Sequence, residues 1–255
     1  MLHYIIKGEW MRELTDSQSS RMALLWRTDA PNSKLAIFVH GFGGKYLATW
    51  GEFPQLLKDN ADSVPGLAEW DFLFTGYPTF GVTGVGSFGD IASLIQTRLD
   101  DALHGLLENK CNYKRVALLG HSLGTLGIRN LVSSPLHCPA TEFASVQAIG
   151  LYGSPLKGAF LANFGQFVAP IGSALRPGSS QLAALWTCVS SGWASRPWSR
   201  AHIQRGMKDL VVGAPFEKWP GDAWPPRLVP ATHSSICKPK SMHDDPVTFL
   251  KRVLL

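Results

Sequence analysis

Gly120-His121-Ser122-Leu123-Gly124 reads as G-x-S-x-G. Where that pattern joins a strand to a helix, it suits nucleophilic catalysis. A serine on so sharp a turn lifts its hydroxyl above the sheet, and the flanking glycines let strand and helix come close. The following N–H, that of Leu123, opens the helix and can donate to a developing oxyanion. By itself the pattern arises by chance, and a serine there can simply cap a helix. Here an apolar run, Arg115 to Gly120, precedes it and a helix-like stretch follows. Earlier in the chain, Val39-His40-Gly41-Phe42-Gly43-Gly44 closes another apolar run. Its flexible backbone is expected to supply a second oxyanion donor, the N–H of Phe42, while His40 reads as a structural residue fixing that loop.

A nucleophilic serine needs a base, and the base needs a carboxylate to hold its tautomer. His137 precedes the fourth apolar run, His202 stands just before a strand-like run, and His243 lies near the start of the last helix. His233 lies in Val229-Pro-Ala-Thr-His-Ser-Ser-Ile-Cys-Lys-Pro239, between a short strand and that helix, and is assigned as the base. No Asp or Glu occurs between Glu142 and Asp209. Asp209, Asp222 and Glu217 therefore remain as candidates for the acid, with Asp209 favoured because it stands where a strand would pass into a loop.

The elements that must position these groups are visible as patterns. Leu35 to His40, Trp70 to Thr75, Arg115 to Gly120 and Val146 to Tyr152 read as buried strands. Between the second and third, Ile91, Leu94, Ile95, Leu99, Ala102, Leu103, Leu106 and Leu107 recur at helical spacing. Ser87 and Asp90 stand where a capping box would open that helix. The stretch from His243 to Leu255 also reads as helix. Strands alternating with helices predict an α/β fold with a mostly parallel, doubly wound sheet, whose chemistry gathers beyond the carboxyl ends of the strands.

One domain can use the whole chain of 255 residues. With 45% apolar and 17% charged residues the chain has the composition of a folded domain, not a disordered one. The net charge of +5 is spread without a basic block, which argues against nucleic-acid binding. Four separate cysteines, without a C-x-x-C pair, suit a reducing compartment. The N-terminus lacks a long apolar run, so a cytoplasmic location is expected. From Gly158 to Ser195 the one charged residue is Arg176. Residues 156–200 are therefore expected to form a charge-poor cap or lid. Ordinary core helices are the plain alternative, and a peripheral membrane contact through 158–195 is a further use of the same surface. A membrane span from Gly158 to Leu175 is interrupted by Asn163, Gly165, Gln166, Pro170 and Gly172. Neither Gly84–Gly89 nor Gly43-Gly44-Lys45 has the context of a nucleotide site. His233 with Cys237 makes no zinc site. No cofactor or metal is expected.

The segments FVHGFGGKYLATWGEFPQLL, GYPT, LLGHSLGTLGIRNLV, LYGSPLKGA and THSSICKPKSMHDDP together resemble lipase-like serine esterases of the α/β-hydrolase superfamily, and within it the branch of GPI-inositol deacylases. That branch carries H-S-x-I-x-K-P at its base. The resemblance implies an α/β-hydrolase fold with Ser122 as nucleophile, Asp209 as acid, His233 as base and the HGF loop as oxyanion hole. It also implies action on a small-molecule or lipid ester. Thr125 departs from the glycine that many relatives carry after G-x-S-x-G. Two alternatives use the same residues differently: an acyltransferase with the same triad, and a non-catalytic binding protein of this fold.

Overall fold

The computed structural model describes residues 10–15, 21–27, 32–79, 84–134, 144–159, 170–192, 201–212, 218–223 and 225–255. Two strands beyond those expected come first, β1 (Trp10–Thr15) and β2 (Arg21–Arg27). The expected strands follow as β3 (Lys34–Val39) and β4 (Trp70–Thr75), then β5 (Arg115–His121) and β6 (Val146–Tyr152). Two short strands, β7 (His202–Gly206) and β8 (Arg227–Val229), complete an eight-stranded sheet. Its order is β1-β2-β4-β3-β5-β6-β7-β8. Only β2 runs antiparallel to its neighbours; all other pairs beyond it are parallel.

Parallel strands are covered on both faces, so they read as continuous apolar runs. Every residue of β4, WDFLFT, is buried. In β3 the alternation divides two cores: Leu35, Ile37 and Val39 face one, Ala36 and Phe38 the other. The first core is closed by α2 (Phe88–Leu103) and α3 (Leu123–Ser133). The second is closed by α1 (Phe53–Asn60) and by the last helix of the chain. Phe38 fills it, stacked on Phe74 at 4.5 Å and meeting Trp50 edge-on at 5.0 Å.

The capping box of α2 forms as expected. The Asp90 N–H donates to Ser87 Oγ at 3.2 Å, and Ser87 N–H donates to Asp90 Oδ2 at 2.9 Å. The far end of that helix is shorter than its apolar spacing suggested. α2 stops at Leu103, Gly105 turns the chain at φ 67°, and Leu106 is 68% exposed while Leu107 is buried from the loop. Periodicity cannot register a turn that leaves one leucine inside and its neighbour outside.

Beyond β6 lie α4 (Pro170–Ala174) and α5 (Ser180–Gly192). Leu182, Leu185 and Val189 recur at helical spacing along α5 and join the core around α3. The rest of the expected cap, residues 160–169 and 193–200, lies outside the described residues. No helix among the described residues is long and apolar enough to cross a membrane. The last helix, α6 (Asp245–Leu254), begins two residues later than His243, because Asp244 is its N-cap and Pro246 sits in its first turn.

Candidate active site

Ser122 stands at the end of β5 with φ 52° and ψ −122°, a backbone setting that costs a non-glycine residue about 1–3 kcal/mol. Among the described residues, only Lys110 shares a positive φ without being glycine. The Ser122 N–H donates to the Tyr152 carbonyl on β6 at 3.0 Å, and α3 starts at the next residue. Close packing explains the glycines. A Cβ at Gly124 would lie 2.5 Å from the carbonyl oxygens of both Val39 and His40. A Cβ at Gly41 would lie 2.6 Å from that of Ser122. Helix, elbow and the HGF loop therefore touch backbone to backbone.

The structure brings Ser122, His233 and Asp209 into one line. Ser122 Oγ lies 2.8 Å from His233 Nε2, and His233 Nδ1 lies 2.8 Å from Asp209 Oδ2. With a neutral imidazole the hydroxyl donates to Nε2 and Nδ1–H donates to the carboxylate. The partners come from distant parts of the chain, 111 positions apart for the first bond and 24 for the second.

Asp209 closes a tight turn after β7, where its N–H donates to Gly206 O at 3.2 Å. The Val211 and Val212 N–H groups both donate to its Oδ1 at 3.0 Å. Burial opposes ionisation of this carboxyl. The His233 bond and these two amides outweigh that penalty and hold it below the usual carboxylate range. The Met207 and Lys208 N–H groups donate to Val229 O and Ala231 O, at 2.8 and 3.1 Å. These bonds tie the Asp209 turn to the strand end that leads into His233.

The THSSICKP segment is a knot of local bonds. The Thr232 N–H donates to Ser235 Oγ at 2.9 Å, and the Ser235 N–H donates to Thr232 Oγ1 at 3.3 Å. Ile236 and Cys237 are fully buried below it. Gln204 Nε2 donates to the Ile236 carbonyl at 3.1 Å, and the Cys237 thiol donates to Thr49 O at 3.3 Å. His233 thus rides on a turn plugged into the core.

His40 takes the structural part expected of it. Its Nδ1–H donates to Gly41 O at 2.8 Å, and its Nε2 accepts from the Tyr77 N–H at 3.1 Å. Tyr77 Oη donates to His40 O at 2.6 Å, and the two rings stack at 4.3 Å. Burial pushes the His40 pKa down to about 4. The Gly43 N–H donates to Thr79 Oγ1 at 3.0 Å, so the GYPT segment braces the loop that carries Phe42.

The alpha/beta hydrolase family matches residues 36–252. The chain belongs to that family. No curated protein matches the chain. Among solved structures, phospholipase PlaB from Legionella pneumophila is similar over 69% of this chain, with 19% identity and a TM-score of 0.53. This hydrolase spans only 39% of that protein's length. Thermogutta terrifontis esterase 2, phosphoramylated by tabun, is similar over 98% of this chain and 93% of its own, with 14% identity and a TM-score of 0.53. A predicted CIB-like hydrolase from Thermoplasma acidophilum covers 95% of both chains with 14% identity and a TM-score of 0.50. At these identities the likeness is one of fold.

Two alternatives for the acid fare differently in this alpha/beta hydrolase. Asp222 is committed elsewhere: Arg129 Nη2 on α3 donates to its Oδ1 at 2.6 Å with both side chains fully buried, and the Trp219 N–H donates to Oδ2 at 2.9 Å. Glu217 lies outside the described residues. Thr125, the departure from glycine, is fully buried, and its hydroxyl lies 2.6 Å from Ser122 O and 2.7 Å from Ser154 Oγ. Thr125 Oγ1 is the donor toward both, and so pins the elbow to the loop after β6. Nothing in the sequence pattern pointed to Arg129 or Ser154, whose partners are distant in the chain.

Proposed function

We propose that this protein is a serine carboxylic-ester hydrolase that works through an acyl-enzyme on Ser122. The observation that carries the reading is the unbroken relay from Ser122 Oγ through His233 to Asp209, with 2.8 Å at each step, on a strained elbow.

In this mechanism His233 Nε2 takes the hydroxyl proton as Ser122 Oγ attacks the ester carbonyl. The negative charge that develops on the carbonyl oxygen is met by the N–H groups of Leu123 and Phe42. Asp209 keeps Nδ1 protonated and stabilises the imidazolium. The imidazolium then gives its proton to the departing alkoxide as the tetrahedral species collapses to the acyl-enzyme and an alcohol. Water, deprotonated by His233, releases the acid and restores Ser122.

An apolar or lipid ester suits the charge-poor stretch from Gly158 to Ser195. A lipid substrate also agrees with the resemblance to GPI-inositol deacylases, whose H-S-x-I-x-K-P segment here forms the turn bearing His233.

A fluorophosphonate probe tests the core of the proposal. Wild type labels and turns over p-nitrophenyl esters, and Ser122→Ala does neither. Failure of wild type to label, or equal labelling of Ser122→Ala, overturns it. An acyl-chain-length series, with and without a lipid interface, then defines the substrate class. A flat response to chain length argues against an acyl-binding surface.

A further inference from the structure

The residue before the nucleophile occupies a position that G-x-S-x-G leaves open. Here it is His121, the last residue of β5, buried at 8% exposure. Its Nε2 lies 2.8 Å from the backbone carbonyl oxygen of His233, 112 positions away in the chain. A carbonyl only accepts, so Nε2 carries the proton and donates. The two imidazole rings lie 5.0 Å apart with a tilt of 45°. The same ring abuts the oxyanion loop, since a Cβ at Gly41 would fall 3.2 Å from its Nδ1. Trp50 meets it edge-on at 6.5 Å. One side chain therefore touches the nucleophile's elbow through its own backbone, the base's turn through a hydrogen bond, and the Gly41 loop through packing.

We propose that His121 is a positioning residue, whose Nε2–H anchors the His233 backbone and so sets the reach of the base to Ser122. This rests on the hydrolase reading given above. Its Nδ1 is buried and finds no hydrogen-bond partner among the described residues, so protonation there would bury a charge with no acceptor to receive it. Burial, with the neighbouring His233 adding to it, pushes the His121 pKa down to about 3. The ring stays neutral and its donor stays fixed while His233 takes up and gives back its proton. His121 is not a second base: its one N–H is engaged with a carbonyl.

The rest of the turn does not replace this bond. Thr232, Ser235, Ile236 and Ala231 all have their own partners, and those hold the segment together. At His233 itself, the His121 donor is what fixes the peptide from which the imidazole springs. Removing it leaves the turn folded and lets the ring drift. A misplacement of about 1 Å at a reacting group costs about a hundredfold in rate.

The test compares wild type with His121→Phe, His121→Asn and His121→Gln, with Ser122→Ala as a blank. Phenylalanine keeps a ring without a donor. Asparagine keeps an amide that is one bond too short. Glutamine places an amide nitrogen at the same bond count from Cα as Nε2. The readouts are kcat and KM on p-nitrophenyl butyrate, the fluorophosphonate labelling rate, and the NMR resonance of the His233 Nδ1–H bonded to Asp209. Phe and Asn variants are expected to lose about tenfold to a hundredfold in kcat and labelling rate with KM changed less than about twofold, and to broaden that resonance. The Gln variant returns to within about threefold of wild type. The inference is overturned if Asn retains wild-type kcat, or if Gln is as slow as Asn. Should Phe fail to fold, the Asn and Gln pair decides alone. A wild type that neither labels nor turns over refutes the hydrolase reading instead, while the resonance still reports whether His121 orders His233.

Discussion

Acidification from pH 7.5 to 4.5 should remove a large part of this protein's stability through two histidines. In the folded chain His40 Nε2 accepts the Tyr77 N–H, and a proton placed there would face a donor. His121 Nδ1 is buried without an acceptor among the described residues. Burial accordingly lowers the two pKa values from 6.5 to about 4 and about 3. Below pH 6.5 the unfolded chain takes up protons that the folded chain refuses, so stability falls as pH falls toward the folded values. Each histidine contributes up to about 1.4 kcal/mol per pH unit, or about 2.5 kcal/mol over this window. Together they account for about 5 kcal/mol, against a total stability of about 5–15 kcal/mol for a typical domain. Half-buried His202, whose pKa burial also lowers, adds in the same direction. Asp209, held below the usual carboxylate range, contributes its own loss only at still lower pH. Urea unfolding followed by tryptophan fluorescence measures the effect. With a slope of about 2–3 kcal/mol per molar urea, the midpoint should drop by about 2 M between the two pH values. His40→Asn keeps a donor for Gly41 O but cannot titrate; it should be less stable at pH 7.5 and lose about half of the pH dependence. A midpoint that moves by less than about 0.5 M, or a His40→Asn variant with the full pH dependence, refutes the reasoning.

Other substitutions test other parts of the structure. Arg129→Met leaves the Asp222 carboxylate buried without its partner and should cost about 3–5 kcal/mol in chemical unfolding. The double change Arg129→Met with Asp222→Leu should recover most of that; no recovery would mean that the ion pair is not the source of the loss. Gly124→Ala pushes a methyl group into the backbone carbonyls of Val39 and His40, neither of which can yield. It should cost about 1–3 kcal/mol and lower ester turnover, and an unchanged Tm with full kcat would contradict the packing argument. Asp209→Asn keeps the shape but releases the imidazole's tautomer; kcat should fall on the order of ten-thousandfold at nearly constant KM, and a fall under tenfold would exclude Asp209 as the acid. Thr125→Val removes a buried hydroxyl that serves both Ser122 O and Ser154 Oγ and should cost about 1–3 kcal/mol, read as a lowered Tm.

Much of the fold was legible because it follows from local rules. The bounds of β4 and β6 coincide with apolar runs between polar or turn residues, since a strand covered on both faces cannot interrupt its apolar content. The Ser87–Asp90 capping box is a contact between near neighbours, so two residue types at a fixed short spacing reveal it. The end of α2 was not legible in this way: Leu103, Leu106 and Leu107 keep the helical spacing, yet the helix ends and the loop sends Leu106 to solvent. β1, WMRELT, has no apolar run and pairs only with β2 at the edge of the sheet, whereas β2 carries Met22 to Trp26, an apolar run as long as that of β3, and was overlooked in spite of it.

The same division runs through the site. By itself the sequence determined that Ser122 stands on a strand–turn–helix corner and that His233 follows the short strand before the last helix, because backbone sterics and chain order decide both. It left three carboxylates for one role. Tertiary structure separated two of them: Asp209 turns back beside the strand end that carries His233, while Asp222 is drawn to Arg129 on α3. It alone brought His121 to the His233 carbonyl, since a hydrogen bond from the end of β5 to a turn more than a hundred residues on leaves no local trace. Residue types and short spacings record what a segment can do with itself. Which loops meet above the sheet depends on strand order and burial, and these arise only when the whole chain has packed.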